Sequence, residues 1–178
     1  MIGVIADPTD QDVVREFFEL FKTPWEFYRR DGRYELLLCA GDSQFDRTAK
    51  FVLFYAGRKM HFDDEQKLQT GRQRKNSCIL SYQGNRIPIY GGTITFPEKR
   101  SGLLTDEDSQ ECTAYLDRSR ESMVARIGYN LFGEVRTLLT AGQPPANAFI
   151  PALELYIAFL RDLITGCGVS FAGSTIPS

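Results

Sequence analysis

The sequence contains a single histidine, His61, among 178 residues. Zinc sites built on two or three imidazoles are therefore excluded, and the cysteine spacings match no structural zinc site. A Ser-His-Asp triad would have to use this one imidazole. The sequence also lacks a G-x-S-x-G elbow, a P-loop and a G-x-G-x-x-G dinucleotide fingerprint. We expect neither a metal nor a cofactor, because no complete catalytic motif is present.

Long apolar runs and paired cysteines are also missing. No run approaches the roughly 20 apolar residues that a membrane-spanning helix needs, and the N-terminus lacks the pattern of a signal peptide. The four cysteines, Cys39, Cys78, Cys112 and Cys167, form no C-x-x-C pair, so we expect reduced thiols and a cytoplasmic location. The net charge of −2 predicts neither a nucleic-acid nor a membrane partner.

The overall composition is that of a globular protein. Hydrophobic residues make up 43% of the chain and charged residues 25%, which separates it from disordered sequences. A chain of this length can bury one core but is short for two. We therefore interpret residues 1–178 as a single α/β domain, with a soft boundary near 97–102.

The N-terminal pattern predicts a Rossmann-like half with a mixed sheet. Residues 2–6 form an apolar run typical of a strand buried on both faces, and an amphipathic helical pattern follows over 13–21. Residues 25–28 alternate between apolar and polar side chains. Residues 34–40 are mostly apolar, and both patterns predict further strands. The order strand–helix–strand–strand favours a partly parallel sheet.

The rest of the chain predicts short antiparallel strands in the middle and two C-terminal helices. Strand-like stretches joined by turn residues occupy 51–55, 78–82, 87–90 and 93–96. Pro88 indicates that its strand lies at a sheet edge. A stripe of apolar residues at helical spacing predicts one helix over 122–140. A second helix begins at Pro151, a favoured first-turn residue, and ends near Gly166.

Cys39 and His61 are the candidate catalytic residues. Cys39 lies at the carboxyl end of a predicted buried strand, where α/β sheets place nucleophiles and ligands. Paired with His61, its thiolate could run acyl transfer, as in class I glutamine-amidotransferase-like folds. However, the surrounding sequence lacks the Gly-x-Cys-x-Gly elbow of that fold. The alternative, a structural core cysteine, stays open.

Two further groups of residues are candidate ligand-binding positions. Asp7 and Asp42 close the first and third strands, so both carboxylates could meet at one sheet edge, although capping and turn formation also explain them. Arg29, Arg30 and Arg33 lie near one turn and together could hold a phosphate or a sugar acid.

The acidic segment His61–Glu65 has two interpretations. Three carboxylates beside one imidazole are compatible with a divalent-cation site. The simpler interpretation is a solvated acidic turn balanced by Arg58, Lys59 and Lys67, and we favour it.

Two stretches carry a resemblance to a known family. These are residues 2–7 with 14–26, and residues 127–144 continuing into 151–155. They resemble the region that precedes the catalytic domain in bacterial polysaccharide-deacetylase-like (NodB-type) proteins. That family's catalytic domain uses a metal held by Asp and two His together with an aspartate base. One histidine cannot supply this set, so the resemblance implies the non-catalytic leading domain.

The resemblance predicts an accessory or binding domain associated with such a deacetylase, which would be its partner in cis or in trans; a homo-oligomer is left open. Two alternatives come from the residues themselves. One is a small cysteine-dependent amidotransferase- or hydrolase-like enzyme that uses Cys39 and His61. The other is an anion-binding module.

Overall fold

The computed structural model describes residues 1–41, 49–75, 77–100 and 102–166. Its strands are β1 (Ile2–Ala6), β2 (Trp25–Phe27), β3 (Leu36–Ala40), β4 (Phe51–Tyr55), β5 (Cys78–Tyr82), β6 (Asn85–Ile89), β7 (Leu104–Asp106), β8 (Cys112–Arg118) and β9 (Met123–Ile127). Its α-helices are α1 (Gln11–Phe21), α2 (His61–Glu65), α3 (Leu131–Thr140) and α4 (Ala152–Gly166).

All nine strands belong to one mixed sheet in the order β2-β1-β3-β4-β9-β8-β7-β5-β6. The first five in this order are parallel to one another, and the remaining pairings are antiparallel. The prediction of a mixed α/β fold is therefore confirmed. β6 lies at one edge, as Pro88 predicts, because proline has no N–H to donate to a further strand.

The central strands are apolar because both faces of the sheet are covered. Every residue of β3 and β4 is buried. On one face the larger core packs against α1, α3 and α4, with Phe17 and Phe132 in edge contact at 5.9 Å between ring centroids. On the other face a smaller core gathers around Phe54 and Phe62, whose rings stack at 4.4 Å.

Three parts of the predicted element order are wrong. The stretch 93–96, predicted as a strand, forms only isolated bridges at Thr93. The stripe assigned to one helix over 122–140 contains strand β9, and α3 begins only at Leu131. A short apolar segment fits both helical and extended periods, and here pairing with β4 and β8 favours the strand. The segment His61–Glu65, expected as a solvated acidic turn, forms the short helix α2.

The predicted soft boundary at 97–102 falls between β6 and β7, which belong to the same sheet. Among the described residues, no helix combines the length and apolar character that crossing a bilayer requires.

Candidate functional site

A cleft of about 400 Å³ lies at the carboxyl ends of the parallel strands β1, β3, β4 and β9. In the sheet, β2 lies on one side of β1 and β3 lies on the other side. The connections from β1 therefore run in opposite directions across the sheet, and the switch point lies between β1 and β3. Open α/β sheets bind ligands outside the carboxyl ends of their strands at such a switch point. This cleft is therefore the candidate functional site.

Polar groups of several kinds line the cleft. Its polar side chains are those of Asp7, Thr9, Asp10, Arg58, Gln73 and Asn130. Gln73 and Gly92 come from segments outside the parallel strands. The bridges that Thr93 forms with Arg74 and Tyr129 bring these segments to the same end of the sheet.

The carboxylate of Asp7 is held in one orientation at the end of β1. Its Oδ1 accepts hydrogen bonds from the Thr9 hydroxyl at 2.6 Å and from the Thr9 N–H at 2.9 Å. These bonds, the one from the hydroxyl above all, lower the pKa of Asp7 below its ordinary value. Asp7 is therefore an exposed, ionised acceptor with a second oxygen to offer to a ligand.

Asp10 is neutralised by a helix on the other side of the cleft. Arg136 of α3 donates to the Asp10 carboxylate at 2.8 Å and to the Thr9 carbonyl at 2.6 Å. At the beginning of α3, Asn130 caps the helix by accepting from the Gly133 N–H at 3.2 Å. With Asp10 paired, the remaining charged side chains among the described lining residues are Asp7 and Arg58, which are opposite in sign.

A buried ion pair shapes the loop that follows β4. Arg126 and Asp63 are both fully buried and joined by two hydrogen bonds of 3.0 and 3.1 Å. The other guanidinium protons go to the carbonyls of Ala56, Ile127 and Arg58 at 2.6–2.8 Å. All five donors of Arg126 are thus engaged. Because Ala56 and Arg58 line the cleft, this pair fixes one of its walls.

We expected the segment His61–Glu65 to be a solvated turn. This expectation is wrong for Asp63. The fold instead buries it against Arg126, while Asp64 pairs with Lys59 at 2.9 Å on the surface. Within the described ranges, no three His, Cys, Asp or Glu side chains are grouped so that they could bind a metal ion.

A second buried carboxylate joins two other walls of the cleft. Glu134 in the first turn of α3 accepts hydrogen bonds from the N–H groups of Tyr90 and Gly91, at 2.8 and 2.7 Å. Burial raises its pKa above the ordinary value, although the two N–H groups oppose this effect. Glu134 thereby connects the loop that carries Gly92 to the helix that carries Asn130.

Cys39 and His61 occupy different environments. Cys39 is fully buried, and its Sγ donates to the Gly41 carbonyl at 3.2 Å. His61 begins α2, is largely exposed, and lies 3.2 Å from the Glu65 carboxylate through Nε2. Neither residue lines the cleft. Their predicted catalytic role is not tested by these contacts and stays a prediction.

The predicted arginine group lies beyond β2, at the edge of the sheet. Arg29, Arg30 and Arg33 are exposed. Arg29 lies 3.7 Å from the carboxylates of both Glu26 and Asp31. None of the three arginines lines the cleft, and anion binding by them stays a prediction. Asp42, the proposed partner of Asp7, lies outside the described residues.

Sequence reasoning found Asp7 but missed most of the cleft. Asn130 had a usable signal, since an Asn directly before an apolar helical stripe predicts an N-cap. The signal was lost because the helix was predicted to begin near 122. Gln73 and Gly92 carry no local signal, because long-range pairing alone brings them to the cleft.

No protein-family model and no curated protein matches the sequence. Solved structures with a similar fold include glycoside hydrolases. A catalytic mutant of Gan42B, a GH42 β-galactosidase from G. stearothermophilus, matches 94% of this chain and 30% of its own at 10% identity, with a TM-score of 0.59. The exo-β-1,4-mannosidase Op5Man5 from Opitutaceae bacterium strain TAV5 matches 90% and 35% at 9% identity, with a TM-score of 0.64.

A β-galactosidase from the haloarchaeon Halorubrum lacusprofundi matches 96% of this chain and 30% of its own, at 9% identity and a TM-score of 0.61. The chain thus spans about a third of the length of the structures that it matches. At this identity the likeness concerns the fold.

These neighbours overturn the resemblance to polysaccharide deacetylases and the accessory function that it implied. The quoted stretches cover β1 with α1, and the end of β9 with α3. An apolar strand next to an amphipathic helix is common to many α/β proteins, so the shared pattern carried no specific relationship. What the chain shares with known proteins is the fold of a segment found in glycoside hydrolases.

Proposed function

We propose that this chain is a glycosidase-related domain that binds a neutral sugar in the cleft at the carboxyl ends of its parallel strands. The observation that carries the proposal is the cleft itself, with an ionised carboxylate, a guanidinium and two amides at a sheet switch point. The neighbours named above are β-galactosidases and a mannosidase, which supports a carbohydrate ligand.

The chemistry of the lining suits an uncharged, polyhydroxylated ligand. Carboxylates accept hydrogen bonds, a guanidinium donates them, and amides do both, so together they match hydroxyl groups that donate and accept. Asp7 and Arg58 balance in charge, and Asp10 is already paired with Arg136. A phosphate or a sugar acid would meet the Asp7 carboxylate without a compensating excess of cations.

Binding without hydrolysis is the activity that the cleft supports. Most glycosidases need two carboxyl groups across the scissile bond, one of them a general acid with a raised pKa. Of the two carboxylates that line this cleft within the described ranges, Asp7 has a lowered pKa and Asp10 is held by Arg136. Neither is prepared to protonate a leaving group.

The finer fold assignment belongs to the same proposal. A Rossmann-like N-terminal half is supported by the parallel order β2-β1-β3-β4-β9 and by the crossover of α1 between β1 and β2. A cytoplasmic location, supported by the buried cysteines Cys78 and Cys112, neither of which forms a disulfide, is proposed with it.

The proposal is tested by titrating the protein with galactose, mannose, lactose and β-1,4-mannobiose, followed by calorimetry and amide chemical shifts. We expect saturable binding of at least one sugar, with shifts concentrated around Asp7 and Asn130. Asp7→Asn weakens that binding about tenfold, because a hydrogen bond to an ionised acceptor is stronger than one to a neutral amide. Asp12→Asn changes an exposed carboxylate of α1 that does not line the cleft, and it leaves binding unchanged.

Inorganic phosphate is the comparison ligand. Saturable binding of phosphate with shifts around Arg29, Arg30 and Arg33, and no binding of any sugar, contradicts the proposal and favours the anion-binding alternative. Release of nitrophenol from nitrophenyl glycosides that Asp7→Asn abolishes would replace a binding function by a catalytic one.

A further inference from the structure

The segment 90–92, which carries Gly92 into the cleft, is held by a buried carboxylate of α3. The Oε2 atom of Glu134 accepts a hydrogen bond from the Tyr90 N–H at 2.8 Å, and its Oε1 atom accepts one from the Gly91 N–H at 2.7 Å. A β-carbon added at Gly91 would lie 2.8 Å from Oε1, so the carboxylate lies directly against the backbone of this segment. Both oxygens of Glu134 therefore fix the segment in place.

The same residue is tied to Asn130 on the other wall of the cleft. The Glu134 N–H donates to the Asn130 carbonyl at 3.0 Å at the beginning of α3. Asn130 and Gly92 both line the cleft, whereas Glu134 itself does not. One buried side chain thus sets the spacing between two lining residues that lie far apart in the sequence.

The negative charge of Glu134 needs an explanation, because burying it is costly. Glu134 is 2% exposed, and within the described ranges no cation forms an ion pair with it. An ionised group in such a place costs free energy unless hydrogen bonds satisfy it. A carboxylate can accept from two N–H groups with two separate oxygens, whereas an amide has one acceptor oxygen. The charge is therefore what allows one side chain to hold both N–H groups.

The other titratable groups around Glu134 stay neutral in weakly acidic solution. They come from β5, the segment 90–92, the approach to α3, and α4: Cys78, Tyr90, Tyr129 and Tyr156. Burial raises the pKa of each of them above its ordinary value. Glu134 is thus the member of this cluster that gains a proton as the pH falls from about 7 to 4.5. Asp7 in the cleft stays ionised over this range, since its hydrogen bonds with Thr9 lower its pKa.

We propose that Glu134 is a positioning residue of the sugar site, whose ionised carboxylate holds Gly92 and Asn130 in the arrangement that binds the ligand. This inference rests on the proposed function and adds to it a control of affinity by pH. When Glu134 gains a proton, one of its oxygens becomes a donor, which leaves one strong acceptor for two N–H groups. The segment 90–92 then loses one of its two bonds, and the cleft loses the spacing between Gly92 and Asn130.

Proton and sugar therefore oppose each other. The sugar binds best to the protein whose Glu134 is ionised, so sugar binding favours release of the proton. By reciprocity, bound sugar lowers the pKa of Glu134 relative to that of the unliganded protein. We expect the affinity for sugar to fall as the pH is lowered from about 7 to 4.5.

Calorimetric titration of the full chain at several pH values in this range, with the sugar that binds the wild type most tightly, tests the inference. Glu134→Gln keeps the shape of the side chain but has one acceptor oxygen. It should bind about tenfold more weakly than the wild type at neutral pH and lose the pH dependence. Glu154→Gln removes an exposed carboxylate of α4 and should bind as the wild type does. His61 is present in all three proteins, so its titration cancels in the comparison.

Amide chemical shifts give a readout that a purely structural link would not change. The shifts of Tyr90 and Gly91 report protonation of Glu134, because both N–H groups donate to its carboxylate. Saturating sugar should move the midpoint of this titration to lower pH. A link without influence on the cleft gives the same midpoint with and without sugar. This readout uses the wild type alone, so it does not depend on the folding of Glu134→Gln.

The outcomes separate the two proposals. A wild type that binds sugar with the same affinity over this pH range, and with the same titration midpoint, overturns the role of Glu134 and leaves the proposed function intact. A Glu134→Gln variant with the affinity and the pH dependence of the wild type also overturns this role. Failure of the wild type to bind any of the four sugars at neutral pH overturns both proposals.

Discussion

Arg126 shows how much of the cleft depends on one buried side chain. Its guanidinium holds the carboxylate of Asp63, which lies 63 positions earlier in the sequence, and two carbonyls of the loop after β4. Removing one partner of a buried ion pair leaves the other charge without compensation. The loop that carries Arg58 should therefore lose its shape together with the pair.

We predict that Arg126→Met lowers the free energy of unfolding by about 3–5 kcal/mol, because the Asp63 carboxyl group stays buried without its partner. Lys59→Met removes a cation that pairs with Asp64 on the surface, and it should leave the free energy of unfolding nearly unchanged, because exposed ion pairs contribute little. Urea denaturation of both variants measures the difference. Equal losses of the free energy of unfolding in the two variants would mean that the buried ion pair contributes no more to stability than the surface pair.

Glu134 gives a prediction about pH. Its pKa is raised above the ordinary 4.5 in the folded protein, so the folded state keeps the proton over a range where the unfolded state has released it. The contribution of Glu134 to stability is therefore fully present below pH 4.5 and is lost as the pH rises through the folded pKa.

Glu134→Gln removes this titration. We expect the free energy of unfolding of the wild type, relative to Glu134→Gln, to fall as the pH is raised from about 4.5 to 7. Glu154→Gln, which removes an exposed carboxylate from the first turn of α4, reports the effect of net charge alone. A difference that stays constant or rises with pH would contradict the raised pKa.

At the scale of elements, the walls of the cleft are set by two loops whose backbones touch. A β-carbon added at Gly57 would lie 2.1 Å from the carbonyl oxygen of Gly92, and both residues line the cleft. The loop after β4 and the loop after β6 can approach this closely because neither glycine carries a side chain.

We predict that Gly57→Ala destabilises the protein by about 1–3 kcal/mol, because one loop must move away from the other. The same substitution at Gly166, the last residue of α4, meets no atom within 4 Å and should be neutral or slightly stabilising. Thermal denaturation tests the pair. Gly57→Ala should also weaken sugar binding. A Gly57→Ala variant with the melting temperature and the sugar affinity of the wild type would contradict the close contact between the loops at Gly57 and Gly92.

At the scale of the whole molecule, the sheet has two parts with different tasks. Four of the parallel strands, β1, β3, β4 and β9, end at the cleft, and the antiparallel strands β8-β7-β5-β6 extend the sheet on one side. The bridges of Thr93 bring the chain beside these strands back toward the cleft. The antiparallel part thus contributes Gln73 and Gly92 to a site that the parallel part forms.

The local sequence predicted the elements whose burial is visible in their own residue pattern. The apolar runs of β1, β3 and β4 and the amphipathic pattern of α1 are visible because burial on one or both faces leaves a direct mark on residue type. The segment of β9 was misread because five residues fit either period. β7 and β8 were missed, since their identity depends on their neighbours in the sheet.

The sequence by itself determined the mixed α/β class, the buried edge proline, and the exclusion of metal and nucleotide motifs, because these follow from composition, period and spacing. Only the tertiary structure decided the cleft and the Arg126–Asp63 pair. These features join side chains that lie far apart in the chain, and their partners are selected by strand order. A single sequence does not encode that order in any local pattern.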